Sequence, residues 1–284
     1  MLIDTHAHLN FGAFREDADE VIKRSLDAGM MIVNVGSQYS TSARAVKYAK
    51  KYPGKLFAAV GTHPIHLHAG NFSYKDQDDE LLIEEIATIG EDVDFEKYRE
   101  LALEKEVVAI GEIGLDYHHF NEGDDRERMK ARQKEVFLGF INLANVVGKP
   151  VMIHCWDAYE DLLEILESNP VKKAGIIHSF IGGYRTAKRF IELGYKIGLN
   201  GIVTYGISYD RLIKETDLSD IVLETDCPYL APGPKKGERN EPLYTAYVAE
   251  KIAEIKNMTE KEVAEITSRN AREMLEMETN CNSN

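Results

Sequence analysis

Asp4-Thr5-His6-Ala7-His8 sets two imidazoles two residues apart, directly behind an apolar start at Leu2-Ile3. Residues at i and i+2 of a strand project to the same side, so His6 and His8 point together while Thr5 and Ala7 face away. Two imidazoles so placed can share a divalent ion such as Zn²⁺ or Mn²⁺; an exposed or simply hydrogen-bonded pair is the ordinary alternative. Four more apolar runs also end in a metal-ligating residue: Ala109-Ile110-Gly111-Glu112, Met152-Ile153-His154, Ile176-Ile177-His178 and Leu223-Glu224-Thr225-Asp226. A catalytic zinc usually takes three protein ligands plus water. The six residues therefore read as two sites: His6, His8 and Asp226 on one, His154 and His178 on the other, with Glu112 bridging. Two ions about 3.5–4 Å apart lower the pKa of a shared water and clamp a developing oxyanion. That is hydrolytic chemistry.

For six residues so far apart in the chain to meet, the segments that carry them must converge. Short apolar runs are expected as strands at Leu2–His8, Met31–Gly36, Leu56–Gly61, Val107–Glu112, Val151–His154, Gly175–His178, Tyr195–Leu199 and Ile221–Asp226. Between them lie helical patterns such as Arg126–Val147, with Phe137, Phe140, Ile141, Ala144 and Val147 on one face. Strands alternating with helices imply parallel pairing with helices outside the sheet. Eight such units predict an α/β fold, a single (β/α)8 TIM barrel over 1–277, with an open doubly wound sheet as the rival. In a barrel the C-terminal strand ends share one rim, where active sites sit. A polar stretch at about 71–94 is expected to add helix and loop, as part of an insertion over about 71–106 between the third and fourth strands. Thr259-x-x-Glu262 is a capping box that starts a closing helix, and 278–284 is expected to be a flexible tail.

Composition limits the rest. The 284 residues are 44% hydrophobic and 29% charged, an ordinary globular balance. A net charge of −14 argues against a broad nucleic-acid face, which needs clustered Lys and Arg, though a local metal centre can still attract a phosphate. Cys155, Cys227 and Cys281 are odd in number and widely spaced, so no disulfide framework is expected. Cys155 and Cys227 read as small buried hydrophobes. Neither a leader pattern nor a long apolar run is found, and a cytoplasmic, non-membrane protein is expected. Oligomeric state is not legible.

The chain resembles the TatD family of metal-dependent deoxyribonucleases, a branch of the amidohydrolase superfamily. The matching segments are DTHAHLN at 4–10, GTHP at 61–64, GEIGLDY at 111–117, IH at 153–154, HSFIGG at 178–183, ETDCPYL at 224–230 and RNEP at 239–242. The resemblance implies a barrel, divalent ions (Zn²⁺, Mn²⁺ or Mg²⁺) and hydrolysis of phosphodiester bonds at a DNA single-strand end or in a small phosphoester. It places the metal positions on His6, His8, Glu112, His154, His178 and Asp226, with Asp226 and Glu112 catalytic and Asp226 the general base. It further suggests substrate contacts at His63, Arg239, Asn240 and Tyr229, and a supporting role for Asp116 behind a ligand. His66, His68, His118 and His119 read as exposed loop residues, and Lys235 and Lys236 as a small basic cluster. In one respect the chain departs from the family: two residues after His154, where an arginine is common, stands Trp156, which can stack on a base but cannot neutralise a phosphate. A rival within the superfamily is hydrolysis of a lactone, ester or amide. Many such relatives bridge their ions with a carboxylated lysine on the fourth strand, and Val107–Ile110 contains none. A non-catalytic metal-binding protein is the other rival.

Overall fold

The computed structural model describes residues 1–75 and 83–277; the expected tail and Cys281 lie outside them. Ten strands are described: β1 (Ile3–Ala7), β2 (Met31–Val35), β3 (Leu56–Val60), β4 (Ala69–Lys75), β5 (Ile83–Ile89), β6 (Val107–Asp116), β7 (Val151–Trp156), β8 (Gly175–Ile177), β9 (Lys196–Leu199) and β10 (Ile221–Leu223). Eight of them form one sheet in the order β1-β2-β3-β6-β7-β8-β9-β10, with neighbouring strands paired parallel. A parallel bridge between Ala7 and Cys227 brings the ends of that order together. The sheet is thus the expected barrel.

Helices α1 (Ala18–Asp27), α2 (Tyr39–Ala49), α3 (Phe95–Ala102), α4 (Arg126–Val147), α5 (Tyr159–Ser168), α6 (Tyr184–Glu192), α7 (Asp210–Glu215), α8 (Thr245–Lys256) and α9 (Glu260–Met274) cover it. No helix among the described residues is long and apolar enough to cross a membrane. α4 ends at Gly148, whose φ of 68° is the left-handed conformation that glycine adopts without a Cβ clash. α9 starts at the predicted capping box, with Thr259 and Glu262 bonding reciprocally.

The segment after β3 corrects the expectation of extra helix and loop at about 71–94. β4 and β5 pair antiparallel from Ala69↔Ile89 to Lys75↔Ile83, and among the described residues of this stretch no helix starts before Phe95; residues 76–82 lie outside those described. The stretch is polar overall, yet Phe72, Tyr74, Ile83, Ile86 and Ile89 are strand formers, and mean polarity hid them.

Two apolar layers hold the barrel. One lies between strands and helices and includes Ile32, Val60, Ile110, Phe137, Phe140 and Ile153. The other fills the interior with Ile3, Met31, Val33, Phe57, Met152 and Val222, and is closed below by Ala271, Leu275 and Met277 at the end of α9. α9 is tied there by Asn270, whose buried Nδ2 donates to Leu218 O and Ile221 O, both at 2.8 Å. Removing a donor from two buried carbonyls costs about 1–3 kcal/mol. Asn270→Ala should lower stability by about that amount in urea unfolding, and no measurable change would show that α9 is not anchored through this residue.

Candidate metal centre

The C-terminal ends of β1, β6, β7, β8 and β10 meet at one rim. Two of these strands are irregular where they carry their ligand. The β1 register shifts between Asp4 and Ala7, around His6, and the β6 register shifts between Ile110 and Ile113, around Glu112. Such bulges re-aim side chains beside active sites.

All six predicted ligands come together and are nearly fully buried. Glu112 is at the middle. Its Oε2 lies 3.5 Å from His6 Nε2 and 3.7 Å from His8 Nε2, and its Oε1 lies 3.2 Å from His154 Nδ1 and 3.8 Å from His178 Nε2. Asp226 Oδ1 lies 3.2 Å from His8 Nε2, 3.6 Å from His178 Nε2 and 3.8 Å from His6 Nε2. Donors about 2.1 Å from one ion stand roughly 3.0–4.2 Å apart as the angle between them widens from about 90° to about 180°, a range that covers these separations.

Proton positions support the same view. His8 Nδ1 donates to Val35 O at 2.9 Å, and His154 Nε2 donates to Asp116 Oδ2 at 3.0 Å. His178 Nδ1 faces Glu224 Oε2 at 3.1 Å. In each ring the outer nitrogen faces an acceptor, so the inner nitrogen is the one turned toward Glu112 and Asp226 and can offer its lone pair once an ion displaces any proton there, as metal-ligating histidines require. His63 is the opposite case. Its Nδ1 accepts from Ile65 N at 3.2 Å, so the neutral ring carries its proton on Nε2, 3.6 Å from Glu112 Oε1. Although His63, Glu112 and His154 lie close enough to hold an ion, this tautomer makes His63 a donor into the cavity. His6, His178 and Glu224 form a similar triplet, but Glu224 stands behind His178 and supports it.

Burial pushes the carboxyls of Glu112 and Asp226 up, but the surrounding imidazoles more than offset it and hold both well below the usual range. Burial also pulls His154 down, against the stronger pull of Asp116 and Glu112, which raise it to about 9. The buried anions call for positive charge, supplied by protons or by divalent ions.

The other predicted residues divide. His63, Trp156 and Tyr229 line an open cavity over the centre. Arg239 and Asn240 do not. Arg239 makes a bidentate pair with Asp17 at 2.9 and 2.6 Å, donates to Ala13 O at 2.7 Å and lies over the Phe14 ring. Asn240 is fully buried and donates to Thr225 O and Tyr229 O at 2.8 and 2.6 Å. Both are corrected from substrate contacts to clamps that hold the Asp226 loop, because their polar groups are already committed. Lys235 likewise pairs with Glu238. Cys155 and Cys227 are buried thiols, as expected.

His66 and His119, read as exposed loop residues, also line the cavity, whereas His118 is exposed and pairs with Asp157 at 2.9 Å. Phe11, Ser37, Ile65 and Ser179 line it too, and carried no motif that would have marked them. Asp4 and Glu224 were in view within matched motifs, yet only the folded chain shows their work. Asp4 accepts from His6 N, Thr225 N and Thr225 Oγ1 at 3.1, 3.0 and 2.6 Å. Glu224 also accepts from Ser179 N at 2.6 Å. Gly198 gives Glu224 its room, since a Cβ there would fall 2.4 Å from Oε2.

Comparison with known proteins agrees with this architecture. The family model described as TatD related DNase matches residues 3–276. A Bacillus subtilis protein named uncharacterized metal-dependent hydrolase YabD is 37% identical, over 96% of this chain and 98% of its own. Mouse TATDN3, named a deoxyribonuclease only provisionally, is 30% identical over 95% of this chain and 86% of its own. The crystal structure of YJJV, a TatD homolog from Escherichia coli K12, superposes with a TM-score of 0.80 at 29% identity, covering 96% of this chain and 97% of that one. The chain belongs to the TatD-related DNase family of metal-dependent hydrolases.

Proposed function

We propose that the protein hydrolyses phosphodiester bonds, at a DNA single-strand end or in a small nucleotide phosphoester, with two divalent ions (Zn²⁺, Mn²⁺ or Mg²⁺) held by His6, His8, Glu112, His154, His178 and Asp226. The carrying observation is Glu112, whose two oxygens face different imidazoles. Bound there, the ions would supply an acidified water and positive charge opposite the phosphoryl oxygens. The chain's own groups do the rest. Asp226 accepts the proton of the attacking water, and its loop is pinned for that purpose by Asn240. His63 offers Nε2–H to a phosphoryl oxygen. Phe11, Trp156 and Tyr229 wall the cavity, where a sugar or base can pack. A walled pocket over a buried centre suits one nucleotide or a strand end rather than a duplex.

Metal-reconstituted protein should cleave bis(p-nitrophenyl) phosphate and an end-labelled oligonucleotide while leaving lactones intact. Asp226→Asn should lower both phosphodiester rates by about 10²–10⁴-fold, the span of general-base catalysis. Turnover of lactones alone, or an Asp226→Asn enzyme as fast as wild type, would overturn the proposal.

Ion binding should also release protons near neutral pH. In the metal-free state His154 is raised to about 9 and so carries its second proton below that pH, and an ion on Nδ1 must displace it. Calorimetric titration of apo-protein in buffers of different ionisation enthalpy at pH 7.5 should show this release, declining as pH rises through about 9. Binding without proton exchange at pH 7.5 would remove His154 from the ligand set.

A further inference from the structure

Among the described residues no lysine or arginine lines the cavity. Apart from the ions, a phosphate there has to be met by neutral donors. His63, held by Ile65 N–H, supplies one from the loop after β3. A second stands three places along the sheet, behind β8.

Ser179 follows the proposed ligand His178 directly. Consecutive residues of a strand point to opposite faces, and at two other ligands the rule holds: Ala7 after His6 and Cys155 after His154 both turn into the outer apolar layer. Ser179 breaks it. β8 ends at Ile177, and with a φ of 45° at Ser179 the chain turns so that His178 and Ser179 both line the cavity. A left-handed conformation is uncommon for a residue with a Cβ and persists where surrounding bonds impose it. Glu224 helps impose it here by accepting from Ser179 N at 2.6 Å.

The hydroxyl proton follows from counting donors and acceptors. Asn200 is buried, and its Oδ1 accepts from Ile202 N at 3.2 Å. A backbone N–H can only donate, so this bond fixes which end of the amide is oxygen. The other end, Nδ2, donates to Ser179 Oγ at 2.8 Å. Ser179 Oγ is thus an acceptor toward Asn200, its own O–H is left to donate, and among the described residues that O–H meets no protein acceptor. Ser179 is 2% exposed, and a buried donor without an acceptor is costly. The cavity is where an acceptor can arrive.

Position decides which acceptor. Ser179 is one residue from His178, whose Nε2 lies 3.8 Å from Glu112 Oε1 and 3.6 Å from Asp226 Oδ1. A phosphoryl group attacked over those carboxylates comes within reach of the neighbouring hydroxyl. We propose that Ser179 is a substrate-binding residue whose hydroxyl donates to a non-bridging oxygen of the scissile phosphodiester. This rests on the phosphodiesterase reading above and deepens it.

The dinucleotide TpT with sulfur in place of one non-bridging oxygen exists as Rp and Sp isomers, and sulfur accepts hydrogen bonds poorly. A loss caused by a weakened ion contact is relieved when soft Cd²⁺ replaces Mn²⁺; a loss at the hydroxyl is not. With either ion, wild type should therefore cleave one isomer about tenfold or more slower than TpT in kcat/KM, the worth of a hydrogen bond to a charged group. Ser179→Gly removes the hydroxyl and suits the left-handed backbone. In it the rate on TpT should fall by a similar factor, and the ratio between TpT and that isomer should fall to about one. A ratio is insensitive to the fraction of folded enzyme. Unaltered protein gives a second reading: in metal-loaded crystals soaked with inorganic phosphate, an oxygen of the phosphate over Glu112 should lie about 2.5–3.0 Å from Ser179 Oγ. If wild type cleaves TpT but neither isomer shows a loss that resists Cd²⁺, if the loss survives in Ser179→Gly, or if the phosphate sits out of reach of Oγ, this inference fails while the phosphodiesterase reading stands. If TpT is not cleaved, that reading fails and takes the inference with it.

Discussion

The barrel closes through the residues that would hold the metals. Asp226 N donates to His6 O and His8 N donates to Cys227 O, each at 2.8 Å, so the seam between the first and last strands runs through two ligand-bearing segments. Asp4 reinforces it from the side by accepting from both the His6 and Thr225 amides. The two ends of a long chain must therefore be zipped together before His6, His8 and Asp226 can face one another. The seam is also why Asp226 can sit at a φ of 59°: surrounding bonds over-determine a conformation that a non-glycine residue seldom adopts.

Around that seam the chain spends buried polar groups to fix orientation. Val35 O, Asp116 and Glu224 each draw the proton to the outer nitrogen of an imidazole, while Ile65 N–H does the reverse for His63. One family of rings is thereby turned with the inner nitrogen toward the metal centre and one ring into a hydrogen-bond donor, without any change of residue type. Arg239 and Asn240 work one layer further out, clamping the loop after β10 to the loop after β1 and to itself.

Much of this was legible because it is local. A ligating side chain behind a short apolar run needs only a strand and its direction to be placed, and eight such runs divided by amphipathic helices specify the barrel. The polar hairpin β4–β5 was missed because its pairing is between two short runs that separately look like loop. Arg239 and Asn240 were misassigned for a related reason: a motif reports which residues recur together, not whether their donors are spent on the protein. His119 and Phe11 were invisible as cavity walls because they reach it through loop geometry, which has no period to read. Trp156 is half explained. Its indole packs beside both His154 and His119, so where the family often has a cation this chain has an aromatic partition between a ligand and a second imidazole.

The plug at the foot of the barrel has a topological meaning. Ile3, Phe57, Leu275 and Met277 belong to one buried apolar cluster that fills the interior beneath the metal centre, so the barrel is a solid post and not a tube. The imidazoles and carboxylates stand on top of that post, and a molecule that reaches them does so from the rim side.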